Sequence, residues 1–193
     1  MPYTKHHYKE LESLLNRRFM KLKCFAFLML TLLSIPGLSN ESHAQRISGT
    51  IEIQAPAHQV WSLVGDFSHP ERWLPVILST RSPGNSVGSI REVHLKSDAI
   101  LREKLVFRSN RKRLITYIIV DPTDPSVMPL RQYQAKITVK RTPSGSSVHW
   151  ETQFLRWSEE LNPPEHLNDQ AAHRMVQKIL DYGLANLKDA AER

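Results

Sequence analysis

The sequence predicts an α+β domain: an antiparallel sheet of seven strands, two short helices after the first strand, and one long C-terminal helix laid over the sheet. Three observations predict it. Segments of alternating apolar and polar residues recur from residue 46 to residue 157, the period of a half-buried strand. The connections between them are short and rich in turn residues, as in PGN (83–85), NRK (110–112) and PSGS (143–146). The stretch from Asn168 to Ala191 repeats its apolar residues at helical spacing.

The elements follow in order. RISGTIEIQ (46–54) places Ile47, Ile51 and Ile53 at strand spacing. In APAHQVWSLVGDF, Pro56 suits a first helical turn, and Val60, Trp61 and Val64 form one face of a short helix. SHPERWLP (68–75) reads as a second, shorter helical turn. Six strands come next: VILSTRS, SIREVHLK, AILREKLVFRS, RLITYIIVD, RQYQAKITVKR and SSVHWETQFLRW. DPTDPSVMP (121–129) is a longer loop with three prolines. Asn168 is a natural N-cap for the last helix, with Asp169 placed to meet the helix dipole. Ala172, Val176, Ile179, Leu180, Gly183, Leu187 and Ala190 share its inner face. A sheet with one apolar face needs a cover, and this helix supplies it. Gly183 stands in the middle of the stripe, where glycine costs about 1 kcal/mol relative to alanine. Its bare backbone implies either close packing on the sheet or space left for a ligand.

The chain has 193 residues and a formal charge of +7. Residues 24–38, CFAFLMLTLLSIPGL, form an apolar run preceded by Lys21 and Lys23 and followed by Ser42-His43-Ala44. That layout is a secretory signal, with Met20 as a second candidate start. Residues 1–44 are therefore expected to be an N-terminal extension and cleaved signal, and residues 45–193 one exported, periplasmic domain. The single cysteine, Cys24, leaves with the signal, which excludes disulfides and thiol chemistry from the mature domain. Residues 45–193 carry 20 Lys and Arg against 16 Asp and Glu. The excess gathers at Arg108, Arg111, Lys112, Arg113, Lys140 and Arg141, beside expected turns. It is either a solvated rim or a surface for an acidic protein. Export argues against nucleic acid, and no stable membrane insertion is expected once the signal is gone.

Strand alternation marks candidate inward side chains. Arg91, Val93 and Leu95 share one face, as do Leu101, Glu103 and Leu105, then Ile115, Tyr117 and Ile119, then Tyr133 and Ala135, and on the last strand His149, Glu151 and Gln153. An apolar pocket with a few convergent polar groups is the usual form of a small-molecule site. Arg91 and Glu103, on adjacent strands, can pair across it. The pair is either a structural bridge or an orienting site for a polar ligand, with Arg91 able to meet a carboxylate. Glu103 and Glu151 together have the composition of an acid–base pair. No nucleophile accompanies them, and there is no Gly-x-Ser-x-Gly elbow. The histidines form no HxH or HExxH, so no metal site is expected. By parity Trp150 and Trp157 fall on the outer side of their strand, either as a contact surface or beneath neighbouring loops.

The run IQAPAHQVWSLVGDFSHPERWLPVI, followed by VGSIREVHLK, LREKL and the terminal YGLANLKDAAE, resembles the START-like (SRPBCC) superfamily. The bacterial members of that superfamily are called polyketide cyclase/dehydrase-like proteins. The resemblance covers residues 46–191 and implies a helix-grip (START/Bet v 1-like) fold, with a curved sheet and the long helix enclosing a cavity. The plant abscisic acid receptors are distant relatives. Matching their pattern implies ligand-facing roles for Leu74, Glu103, Tyr117, Tyr133, Glu151 and Gly183, to which the residue argument adds Arg91. NPPEHLNDQAA, ILDYGLANLK and SVMPLRQYQAKITV further resemble the MxaD family of periplasmic methanol-oxidation proteins. Trp73-Leu74-Pro75 stands where that family has Trp-His-Pro. The likeness implies a non-enzymatic accessory aiding electron transfer from methanol dehydrogenase to cytochrome c, with a hydrophobic ligand pocket. The chain has no CxxCH, and no cofactor of its own is expected. A carrier of a hydrophobic small molecule or lipid, and a polyketide cyclase- or aromatase-like enzyme, are the alternatives.

Overall fold

The structure, a computed structural model, describes residues 44–120 and 123–193. The expected signal segment and residues 121–122 of the proline-rich loop lie outside these. Seven strands form one antiparallel sheet: β1 (Gln45–Ile53), β2 (Ile77–Arg81), β3 (Ile90–Leu95), β4 (Ile100–Ser109), β5 (Leu114–Ile119), β6 (Leu130–Thr142) and β7 (Gly145–Arg156). Their order across the sheet is β1-β7-β6-β5-β4-β3-β2. Strands β2 to β7 meander, and β1 closes onto the far side of β7, so β1 and β2 form the two edges. Helix α1 (Ala57–Val64) and a 3-10 turn at Pro70–Arg72 link those edges. Helix α2 (Asp169–Ala191) runs last. The expected α+β helix-grip architecture is the observed one. Among the described residues no helix is long and apolar enough to cross a membrane.

Local chemistry explains the elements. The Asn168 side chain accepts a hydrogen bond from the Ala171 backbone N–H at 2.9 Å and caps α2. Asp169 in its first turn accepts from Arg156 of β7 at 2.8 Å and from Gln45 of β1 at 2.8 Å, which fastens the helix start to the sheet. The buried stripe of α2 runs Ala172, Val176, Leu180, Gly183, Leu184, Leu187 and Ala191. Ile179 and Ala190, expected within it, are half-buried beside it. Irregularities in pairing at Ile77/Ser79, Leu105/Phe107 and Arg131/Gln134 interrupt the ladder. Such bulges bend strands and raise local twist, and the sheet curls around its apolar face.

The strand parity of β7 is the opposite of the sequence expectation. Val148, Trp150, Thr152 and Phe154 are buried, whereas His149, Glu151 and Gln153 face out. Thr152 sits inward because its hydroxyl donates to the Ile47 carbonyl at 3.0 Å, so its polarity carries no penalty.

Candidate functional site

The concave face of the sheet, α2 and the adjoining loops enclose a cavity of about 1020 Å3. Its walls are mostly apolar: Ile77, Val93 and Leu101 from the sheet, Met175 and Ile179 from α2, and Val127 and Met128 from the β5–β6 connection. Thr123 holds the Met128 segment in place, its hydroxyl bonding the carbonyls of Met128 and Leu130 at 2.8 and 2.9 Å. Lys96, Ser97, Lys178, Asp181 and Tyr182 stand exposed around the cavity's outer part.

The inner end is polar. Arg91 and Glu103 face each other on β3 and β4, and both are buried. Arg91 Nε donates to Glu103 Oε2 at 2.6 Å, and Nη1 donates to the Phe67 carbonyl at 2.7 Å. The guanidinium lies 4.2 Å from the Phe67 ring centroid and 5.0 Å from that of Tyr117, within cation–π range. A buried ion pair of this kind is costly to break, because the partner left behind is an uncompensated charge. Burial, reinforced by the nearby Glu103 carboxylate, pushes the Tyr117 hydroxyl well above its ordinary value. Burial does the same to Tyr133, with Tyr117 and Glu103 adding to it. Both phenols therefore stay protonated and offer hydrogen-bond donors. Trp150 lines the same space, and behind it Trp73 meets its ring edge to face, with centroids 5.6 Å apart.

Leu74, Arg91, Glu103, Tyr117 and Tyr133 all line the cavity, and the expected Arg91–Glu103 pair forms. Two other expected residues sit elsewhere. Glu151 projects from the opposite face of the sheet, where Lys136 Nζ bonds its Oε2 at 2.6 Å and holds its carboxyl below the usual range. Glu103 and Glu151 consequently cannot share a substrate, and the pairing of two carboxylates in one pocket does not arise. Gly183 is buried against Trp150, not open to the cavity. A Cβ at this position would lie 2.6 Å from Trp150 Cζ3 and 3.3 Å from Leu74 Cδ2. The glycine admits the indole, so close packing is its role here. Trp150, expected on the outer side, lines the cavity, as do Val127, Met128 and Met175, which the sequence argument also missed. The alternation of Val148, Trp150 and Phe154 carried the signal, since three large apolar residues at period two belong on a buried face. Trp157 is half-buried, beside a second, smaller cavity of about 470 Å3.

Comparison with known proteins agrees with this architecture. The protein XoxI from Bacillus cereus is 26% identical, with a TM-score of 0.63 over 75% of this chain and 94% of that one. The Zhui aromatase/cyclase from Streptomyces sp. R1128 shares the fold at 13% identity, with a TM-score of 0.61 over 78% of this chain and 95% of that one. The abscisic acid receptor PYL7 of Arabidopsis thaliana is 46% identical over a stretch of 46 residues, 23% of this chain and only 22% of the receptor. The model of one family, described as polyketide cyclase/dehydrase and lipid transport, matches residues 44–192. With the match spanning every described element of a sheet gripped by its last helix, the chain belongs to the polyketide cyclase/dehydrase and lipid transport family.

Proposed function

We propose that this protein is a non-enzymatic binder of a hydrophobic small molecule, acting after export to the periplasm. The carrying observation is the cavity of about 1020 Å3 with mostly apolar walls and a buried polar inner end. Such a space is large enough to enclose most of a drug-sized ligand. The chemistry of the polar end supports binding over turnover. Its one carboxylate, Glu103, is engaged by Arg91 at 2.6 Å, and Glu151, on the opposite face of the sheet, gives it no acid–base partner. Leu74, Arg91, Glu103, Tyr117 and Tyr133 are the proposed ligand contacts. Native mass spectrometry of the protein recovered from its own compartment tests this. A retained adduct of a few hundred daltons is the expected result. A bare protein that also takes up no apolar probe would overturn the proposal. The same sample tests export, since its first residue should be Gln45.

A second, narrower reading rests on the segments NPPEHLNDQAA and ILDYGLANLK. In it the protein assists methanol dehydrogenase in passing electrons to cytochrome c. Trp150 is buried and offers no contact surface, which leaves the exposed Arg111 and Lys112 of the β4–β5 turn as the proposed face. Adding the protein to the two purified partners should speed cytochrome reduction, and reversing both charges should remove the effect. An unchanged rate with the native protein would eliminate this role and leave the binding role untouched.

A further inference from the structure

The inner end of the cavity has hydrogen-bonding capacity that the protein itself does not use. Glu103 gives Oε2 to Arg91, and among the described residues its other oxygen, Oε1, has no partner. The Tyr117 hydroxyl has the Arg91 guanidinium beside it, and the Tyr133 hydroxyl has the Trp150 indole. Both neighbours are donors, so neither takes the proton of the phenol. The Trp150 Nε1 atom is itself buried without a hydrogen bond of full geometry. Residues bearing one acceptor and two donors therefore line one largely apolar space. Buried polar groups are ordinarily satisfied, and unused ones that line a cavity point to what should fill it.

Charge narrows the choice. Arg91 is neutralised by Glu103 at 2.6 Å and is further engaged by the Phe67 carbonyl at 2.7 Å. No net positive charge is left for an anion. A ligand carboxylate would sit beside the Glu103 carboxylate in a low-dielectric site, where like charges repel strongly. A ligand ammonium would have to leave water for one oxygen of a carboxylate whose charge Arg91 already balances. An uncharged group that both donates and accepts satisfies all three protein atoms.

From this arrangement we infer that the inner end is a receptor for an uncharged hydroxyl group, an alcohol or phenol carried on a hydrophobic body. The ligand O–H donates to Glu103 Oε1, and its oxygen accepts from Tyr133 and Tyr117. This inference rests on the binding role proposed above and adds the class of ligand. Its specificity comes from the cost of leaving buried partners unpaired when the hydroxyl is missing.

Isothermal titration calorimetry with 2-naphthol, 2-methylnaphthalene and 2-naphthoate tests it, because the three differ only in the group presented. The native protein should bind 2-naphthol at least tenfold more tightly than either of the others. Tyr133→Phe should weaken 2-naphthol about fivefold and leave 2-methylnaphthalene unchanged. Glu103→Gln frees the Arg91 charge, so 2-naphthoate should gain on 2-naphthol in that variant. Circular dichroism checks that each variant is folded, and the Tyr133→Phe comparison stands alone if Glu103→Gln unfolds. Equal binding of 2-naphthol and 2-methylnaphthalene would overturn the hydroxyl receptor while leaving the apolar pocket in place. Tightest binding of 2-naphthoate would overturn it in favour of an anion site. Failure of all three to bind would overturn the pocket and the hydroxyl receptor together.

Discussion

At Gly183 a single methyl group has nowhere to go. Alanine would favour the helix by about 1 kcal/mol, but its Cβ would meet Trp150 at 2.6 Å. The indole cannot swing aside, since it is itself wedged against Trp73. Overpacking of this kind costs about 1–3 kcal/mol. Gly183→Ala should therefore lower stability by about 1 kcal/mol net in urea denaturation. Gly49 makes a useful contrast. Its added Cβ would lie 2.8 Å from Leu184 Cδ1, the flexible end of a side chain that can turn away, so Gly49→Ala should be milder. Asp66 is a residue of a different kind. Burial opposes its ionisation, but bonds from Asn85, His69 and Ser68 outweigh burial and hold its carboxyl below the ordinary 3.8. A folded value below the unfolded one gives stability that is present above the unfolded value and is lost as pH falls through the folded one. Asp66→Ala should thus cost about 1–2 kcal/mol at pH 7. That difference should shrink below about pH 4, in denaturation curves taken across the acid range.

The elements show where sequence patterns are informative. The bounds and cap of α2 were legible, because Asn168 and Asp169 act on backbone groups within one turn of themselves. Asn168→Ala should cost about 1 kcal/mol, measured by thermal unfolding, and Asn168→Asp much less. The inner residues of β3 to β6 were legible too, since Arg91, Glu103, Tyr117 and Tyr133 keep parity with clear apolar neighbours. Strand β7 was not. Its inner face contains Thr152, whose hydroxyl is satisfied by the Ile47 carbonyl of β1, while its outer face contains Glu151, satisfied by Lys136 of β6. Both partners come from other strands, so polarity along β7 alone misled. The likeness to ligand-facing positions of other proteins reinforced the wrong face. Gly183 was legible as a special position but not in its cause, because the cause is a side chain on β7 that parity had turned outward.

Across the whole molecule, the cavity takes the place of part of a core. Leu105, Ile115 and Val139 are fully buried, yet the space between β3 and α2 is open. A ligand that fills it binds the folded state alone and stabilises by mass action. At a hundredfold excess over its Kd the gain is about 2.7 kcal/mol, which for a domain of this size raises Tm by about 5–10 °C. 2-Naphthol should produce such a rise in a thermal scan, and Tyr133→Phe should reduce it.

The edge-to-face pair of Trp73 and Trp150 has one more consequence. Two of the chain's four tryptophans stand against one another, with the Trp150 ring in the cavity wall and its N–H unanswered. Indole emission responds to the polarity of its surroundings and to electron-rich or electron-poor groups at van der Waals distance. Trp61 and Trp157 lie elsewhere, one bonded to Asn110 and the other beside the smaller cavity. The protein is in this sense a lamp with its filament in the pocket: occupancy changes its colour and brightness, and a Trp150→Phe variant is the same lamp made blind to what it holds.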